Sequence, residues 1–293
     1  MTLMDHRSRT NKCLLCGSSD GSVLWRENGY EAFQCACGLL YATPPPLSVE
    51  PTIDEHLDSF YALPAPMKAA WLRQRHPGGR LLEVGCGEGH FLRAALAEGY
   101  EVCGIEADAE RAERVRGSLG VEVETALIER SAWPEASCDI VYHCDLLSHF
   151  PDPQFALRRM AALLRPGGVL CFEVGLVANL APFWYEFMGT IHMPVHRWFY
   201  TEESLAALLR LAGLRIEHVR RFGLAPSFCL ARFGRLIGFG GGATRSMSDG
   251  PRRENVMRAF VHNFVRYRIG LLFPGIGPQT ALVIARPEVQ HES

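Results

Sequence analysis

The turn Glu83-Val84-Gly85-Cys86-Gly87-Glu88-Gly89 constrains the fold more than any other stretch of this chain. It follows a short apolar run, Leu81–Val84, and opens onto a helical pattern over about 89–98. Glycines at such a turn let a ligand approach the backbone, and the helix behind them offers N–H groups that have no intrahelical partner. The dinucleotide fingerprint has two residues before its third glycine, whereas this turn has one, so it is not tailored to a pyrophosphate. Glu106 ends the second apolar strand about 20 residues on, where an acidic side chain can take both hydroxyls of a ribose.

From Arg80 onward strand and helix patterns alternate. Strands are predicted at 101–106, 121–125, 139–144, 169–174, 216–219 and 280–285, and helices at 108–117, 153–164 and 201–211. Thr201 followed by Glu202-Glu203 is a good N-terminal cap. Alternation of this kind implies a parallel-dominated α/β sheet covered on both faces. Two stretches interrupt it. Residues 175–200 are rich in aromatics, and 222–276 carry Gly238–Gly242 and an amphipathic helix near 252–269. Both fall late in the sheet order, where a helical and aromatic lid over an acceptor is expected, with Trp184 and Tyr185 packing it. The apolar face of 222–240 reads as a buried helix, with a membrane-surface role as the alternative.

Leu81–Gly89, Gly104-Ile105-Glu106-Ala107-Asp108, Asp139–Pro153 and Leu164-Arg165-Pro166-Gly167-Gly168 together resemble the successive motifs of class I S-adenosylmethionine-dependent methyltransferases. The likeness spans about 79–220. It implies a Rossmann-like seven-stranded sheet whose last strand is antiparallel. It also implies that Glu83, Gly85, Cys86, Gly87 and Gly89 surround the methionine end of the cofactor, and that Glu106 and Ala107 hold the ribose. Members of this family often carry Asp or Asn beside the adenine after the third strand. Here the stretch reads Glu124-Thr125-Ala126-Leu127, which leaves Leu127 or backbone atoms for that contact.

Residues 1–45 form a different segment, joined to the rest by a helical linker over 46–78 with its helix near 54–75. It contains Cys13-x2-Cys16, then Cys35-x-Cys37-Gly38 after 18 further residues. Four thiolates in two close pairs suit a closed tetrahedral zinc site, although the second pair is one residue tighter than in most zinc ribbons. With four ligands and no open position for water, such a zinc is structural. A module this short buries little core, and metal offsets that deficit. The other six cysteines, Cys86, Cys103, Cys138, Cys144, Cys171 and Cys229, read as small buried apolar residues. Methyltransferases with an N-terminal zinc module of this kind resemble enzymes of sugar and natural-product biosynthesis.

Composition limits the partners. The chain has 30 basic and 32 acidic residues, a net charge of −2. Nucleic-acid binding usually needs a basic excess, so it is disfavoured. Arg252, Arg253, Arg258, Arg266 and Arg268 remain a local basic cluster. No run of 18 apolar residues or signal-like N-terminus is present, and a cytoplasmic protein with a small-molecule acceptor is expected.

Methyl transfer to a hydroxyl requires alignment and removal of a proton, for which histidine is the usual base near neutral pH. His149 follows the fourth strand at its carboxyl end, where ligands bind in open α/β sheets. His196 lies before the capped helix in a pattern that resembles the family's His-x-x-x-Phe-Thr, with Tyr200 in the Phe place. These two are the catalytic candidates. Asp145 borders the cofactor or the acceptor, Asn179 flanks the acceptor, and His192 is a weaker candidate base. His143, inside a strand, reads as a satisfied core residue. O-methylation of a sugar or secondary metabolite is the favoured activity. RNA methylation guided by the zinc module, or a partner protein that binds cofactor without turnover, are the rivals.

Overall fold

The computed structural model describes residues 12–45, 58–223 and 256–288. Cys229, Gly238–Gly242, Arg252, Arg253 and the apolar face beyond Gly223 lie outside the described residues.

The sheet is built from β4 (Arg80–Val84), β5 (Glu101–Glu106), β6 (Val123–Thr125), β7 (Cys138–Cys144), β8 (Leu164–Leu176), β10 (Leu214–Phe222) and β11 (Gln279–Pro287). Its order is β10-β11-β8-β7-β4-β5-β6. The five strands from β6 to β8 pair in parallel, and β11 runs antiparallel to both of its neighbours. Strands buried on both faces need apolar side chains at successive positions. Leu81 and Leu82 are both fully buried, yet they belong to separate clusters. Leu82 packs with Cys103, Val141 and Phe172, while Leu81 packs with Val102, Ile140 and Cys171.

Helices cover the two faces: α3 (His90–Ala97), α4 (Ala109–Leu119), α5 (Pro153–Ala162) and α7 (Glu202–Leu211). Asp108, Asp152 and Thr201 each cap one of them by accepting a backbone N–H. The helix expected over 54–75 is broken among the described residues into α1 (Asp58–Ala62) and α2 (Ala65–Arg73). Pro64 and Pro66 lack the N–H a continuous helix needs and disfavour helical geometry before them. α6 (Pro182–Met188) lies in the aromatic stretch. The amphipathic helix appears as α8 (Val256–Phe264), followed by a wider turn over Val265–Ile269.

The cysteine segment folds into β1 (Gly21–Glu27), β2 (Tyr30–Cys35) and β3 (Leu40–Thr43). Asn28-Gly29 turns β1 into β2 with both residues at positive φ, the tight hairpin turn these residues favour. A fourth strand comes from far along the chain. β9 (Trp198–Phe199) pairs antiparallel with β3, Leu40 opposite Phe199 and Tyr41 opposite Trp198. The sheet therefore crosses from the cysteine segment into the stretch that carries His192 and His196.

His143 departs from expectation. It is fully buried against Phe172, with ring planes 12° apart, but neither ring nitrogen has a hydrogen-bond partner among the described residues. Burial pushes its pKa down to about 3, so the ring is neutral. Of the single cysteines described, Cys86, Cys103, Cys138 and Cys171 are buried, while Cys144 is half-buried.

Candidate active site

The glycine-rich turn sits where β4 ends. Gly85 and Gly87 both have positive φ, at 69° and 53°. A Cβ on Gly85 would lie 2.6 Å from Leu146 Cδ1, so this glycine lets the loop after β7 pack against the turn. A Cβ on Gly87 would meet nothing within 4 Å among the described residues, which leaves its backbone open to a ligand. Gly89, also at positive φ, caps α3. Cys86 turns its thiol inward, 2.9 Å from where a Cβ on Gly104 would stand, so its side chain belongs to the core.

Two carboxylates flank the turn. Glu106 accepts from Gly87 N at 2.8 Å and Asp108 N at 3.0 Å. Glu83 is buried, and its Oε2 has no partner among the described residues. Burial holds its carboxyl well above the usual carboxylate range, against the opposing pull of Lys68. A buried acid with an orphaned oxygen beside open backbone fits a ligand that brings a cation, such as the α-ammonium of S-adenosylmethionine. Leu127 follows Ala126, whose N–H donates to Glu106 O, and its side chain is 46% exposed. Ala107 is exposed as well.

Beyond the carboxyl ends of β7 and β8 lies a cavity of about 160 Å³. Asp145, Ser148, His192, His196, Arg266 and Thr280 are among its polar lining residues, and Val177, Met188, Ile191, Phe199 and Phe222 among its apolar ones. The rings of His149 and His196 meet edge to face at 4.7 Å, and His192 stands 5.7 Å from His196. Burial, with His149 and His192 adding to it, holds His196 well below the ordinary imidazole range. Burial also lowers His149, while the Asp145 carboxylate pulls the other way. Burial raises Asp145, opposed by His149 and Arg266. The segments bearing the two histidines are braced: Arg197 N donates to Ser148 O at 2.8 Å, and Trp198 Nε1 to Phe150 O at 2.8 Å. Tyr185 is buried, its hydroxyl donating to Val177 O. Asn179 and Trp184 line a separate, more polar cavity of about 470 Å³.

A buried ionic cluster lies behind the cavity and was not read from the sequence. Lys68 of α2 pairs with Glu173 of β8 at 2.9 Å, and the Tyr267 hydroxyl donates to the same carboxylate. Arg266 stands 3.7 Å from it. A lone acid inside the apolar run Val169–Val174 was the available signal.

In the N-terminal segment, the Sγ atoms of Cys13, Cys16, Cys35 and Cys37 all lie within 4.8 Å of one another. Cys13–Cys37 and Cys16–Cys35 are each 3.4 Å apart. Sulfurs on a tetrahedral zinc at about 2.3 Å are about 3.8 Å apart, so the donor set fits that ion.

These features define a doubly wound α/β fold with its glycine turn and flanking carboxylates at the switch of strand order. The chain belongs to the methyltransferase-domain family, whose pattern matches residues 54–219, and it is an S-adenosylmethionine-dependent methyltransferase of class I. It is 30% identical over 179 residues to the ubiquinone biosynthesis O-methyltransferase of Bordetella avium, covering 55% of this chain and 73% of the relative. To the enzyme of the same name from Xylella fastidiosa it is 31% identical over 177 residues, covering 55% and 72%. Among solved structures, a Bacillus halodurans protein assigned as a methyltransferase superposes with a TM-score of 0.51 at 16% identity, covering 75% of this chain and 98% of that one. A Galdieria sulphuraria protein assigned as a sarcosine dimethylglycine methyltransferase gives 0.52 at 14% identity, covering 76% and 86%. Those two likenesses concern the fold. Among the described residues no helix is long and apolar enough to cross a membrane.

Proposed function

We propose that this enzyme methylates a hydroxyl of a small-molecule acceptor, a sugar or secondary-metabolite intermediate, bound in the cavity beyond β7 and β8. The observation that carries the reading is His196. It lines that cavity, edge to face with His149, which places an imidazole where a ring nitrogen can take the proton of a bound hydroxyl. His149 backs it edge to face, with Asp145 alongside to favour a proton held on the imidazole pair. The relatives named as O-methyltransferases support oxygen as the attacking atom.

On the donor side, Glu83 takes the ammonium of S-adenosylmethionine, the Gly85–Gly89 turn lies along its methionine part, Glu106 and Ala107 hold the ribose, and Leu127 covers the adenine. The bound cofactor supplies a methyl group activated by a sulfonium. Four cysteines hold one structural zinc, and the packing of their module against the acceptor side favours a scaffold over a free RNA guide.

Methyl transfer from radiolabelled S-adenosylmethionine to a panel of catechols, sugars and RNA tests the reading. His196→Ala is expected to lower turnover of an accepted hydroxyl compound about 10²-fold or more, with S-adenosylhomocysteine affinity unchanged. Unaltered turnover removes His196 from the mechanism, and transfer confined to RNA overturns the acceptor class.

A further inference from the structure

The tip of the β1–β2 hairpin reaches across to the acceptor side. Glu27, the last residue of β1, is half-buried there. Its Oε1 accepts from the Thr190 hydroxyl at 3.2 Å and from Met193 N, and its Oε2 accepts from Ile191 N at 2.9 Å. Trp25 Nε1 donates to the same carboxylate at 2.8 Å, which fixes its orientation. Next along, Asn28 Nδ2 donates to Met193 O at 2.7 Å. One carboxylate thus gathers three donors of a four-residue loop, and hydrogen bonds to a charged acceptor are the strong ones.

That loop needs holding. His192 sits at a φ of 65°, a conformation few side chains adopt freely, and its N–H is taken by the Thr190 hydroxyl. His196 N donates to His192 O, so the placement of His192 sets the start of the turn that presents His196. Ile191 and Met193 are buried in a cluster with Ala32, Leu40 and Ala42 of the cysteine module. On the far side, Ala42 N donates to Arg197 O and β3 pairs with β9. The module therefore grips both ends of the segment 190–199, and the cavity-lining histidines lie between the grips.

We propose that Glu27 is a positioning residue for the acceptor site: it locks the 190–193 loop and thereby sets His196 against His149 at the cavity. The cysteine module, on this view, completes the acceptor site. The inference rests on the reading of the cavity as the acceptor site, but its test needs no turnover.

The zinc-loaded full chain, labelled with ¹³C-histidine, is titrated by NMR as parent, Glu27→Ala and Glu27→Gln. The titratable and charged groups around His196 are His149 and His192, with Asp145 and Arg197 beyond His149 and with His262 and Arg266 lining the same cavity. In the parent the His196 signal titrates well below the ordinary imidazole range. In Glu27→Ala it moves up towards about 6.5, the value of a solvated imidazole. Amide exchange over 190–197 quickens about tenfold or more, as expected for losing charge-assisted bonds. S-adenosylhomocysteine affinity and zinc content stay at parent values. Glu27→Gln, which keeps one acceptor oxygen in the same place, falls between the two. A parent-like His196 titration and exchange in Glu27→Ala overturns the proposal. So does disturbance spread equally over the cofactor turn, since that makes Glu27 a general stability residue. Should the alanine variant fail to fold, Glu27→Gln is judged by the same shifts. Loss of the His196→Ala turnover effect, with these shifts intact, would instead refute the catalytic reading alone.

Discussion

Lys68 and Glu173 form an ion pair of 2.9 Å in which both side chains are only 4% exposed. The pair ties α2 to the carboxyl end of β8, and Tyr267 and Arg266 tie the turn after α8 to the same carboxylate. Burial would push the Glu173 carboxyl up, but Lys68 and Arg266 outweigh it and hold it below the usual carboxylate range. Burial would lower Lys68, yet Cys144, Glu173 and Tyr267 hold it well above the usual lysine range.

Lys68→Met leaves Glu173 buried without its main partner and is expected to cost about 3–5 kcal/mol, read as a drop in the urea midpoint. The double variant Lys68→Met/Glu173→Leu should recover most of that loss, because matched apolar groups leave no buried charge. The depressed Glu173 contributes stability above about pH 4.5, lost as pH falls through its lower folded value. The raised Lys68 contributes below about pH 10.5, lost as pH rises through its higher folded value. A single variant as stable as the parent from pH 5 to 9 counts against this account.

His143 is an expense in the core. Its two ring nitrogens lack partners among the described residues, and burial pushes its pKa down to about 3, so that the folded chain binds fewer protons than the unfolded one between pH 6.5 and 3. Stability contributed by keeping this ring neutral is full above about pH 6.5 and is lost as pH falls, with a slope of about 1.4 kcal/mol per pH unit. His143→Leu removes both unpaired groups. It should match or exceed parental stability at pH 7 by about 1 kcal/mol and flatten the acid limb of the stability curve. An acid limb as steep as the parent's would assign that slope to other groups.

The central sheet was legible because its signals are local. Leu81, Leu82 and Val84 are apolar, as a strand buried on both faces needs, with Glu83 the one acid among them, and the Gly85–Gly89 spacing separates its turn from a dinucleotide site. The cysteine spacing marked the four-thiol cluster for a similar reason, since the two short pairs each set their own geometry. What was missed depends on distant partners. β9 is two residues long and exists because β3 pairs with it. Lys68 looks like an ordinary polar residue of a helix until Glu173 is placed opposite. The Asn28-Gly29 hairpin was a readable signal that the cysteine pattern overshadowed, and with it went the role of Glu27. Pro64 and Pro66 were equally readable as a helix break. His143 was placed in the core correctly, but no periodicity reports whether a buried imidazole finds a partner.

The four-cysteine site gives the last prediction its leverage. Cys13 and Cys35 are buried and Cys16 and Cys37 exposed, so the ion would sit at the module's edge, within reach of a chelator. The buried residues of the module sit in clusters shared with the rest of the chain, Leu39 and Tyr41 with the large sheet and Leu40 and Ala42 with Ile191 and Met193, and a unit below about 40 residues usually needs metal or an equivalent staple. Metal analysis is expected to find about one zinc per chain, held by four ligands in a closed site. Its removal should release β1–β3, and with them the β3–β9 pairing and the Glu27 contacts, because these lie in one sheet. The seven-stranded sheet should persist, because one of its faces packs without the module and the other shares with it only Cys13, Cys35, Leu39 and Tyr41 among the fully buried residues. Chelation should therefore speed amide exchange in 13–43 and 190–199 while S-adenosylhomocysteine still binds. A metal-free chain with parental exchange in both segments would show that the cysteines hold nothing the fold requires.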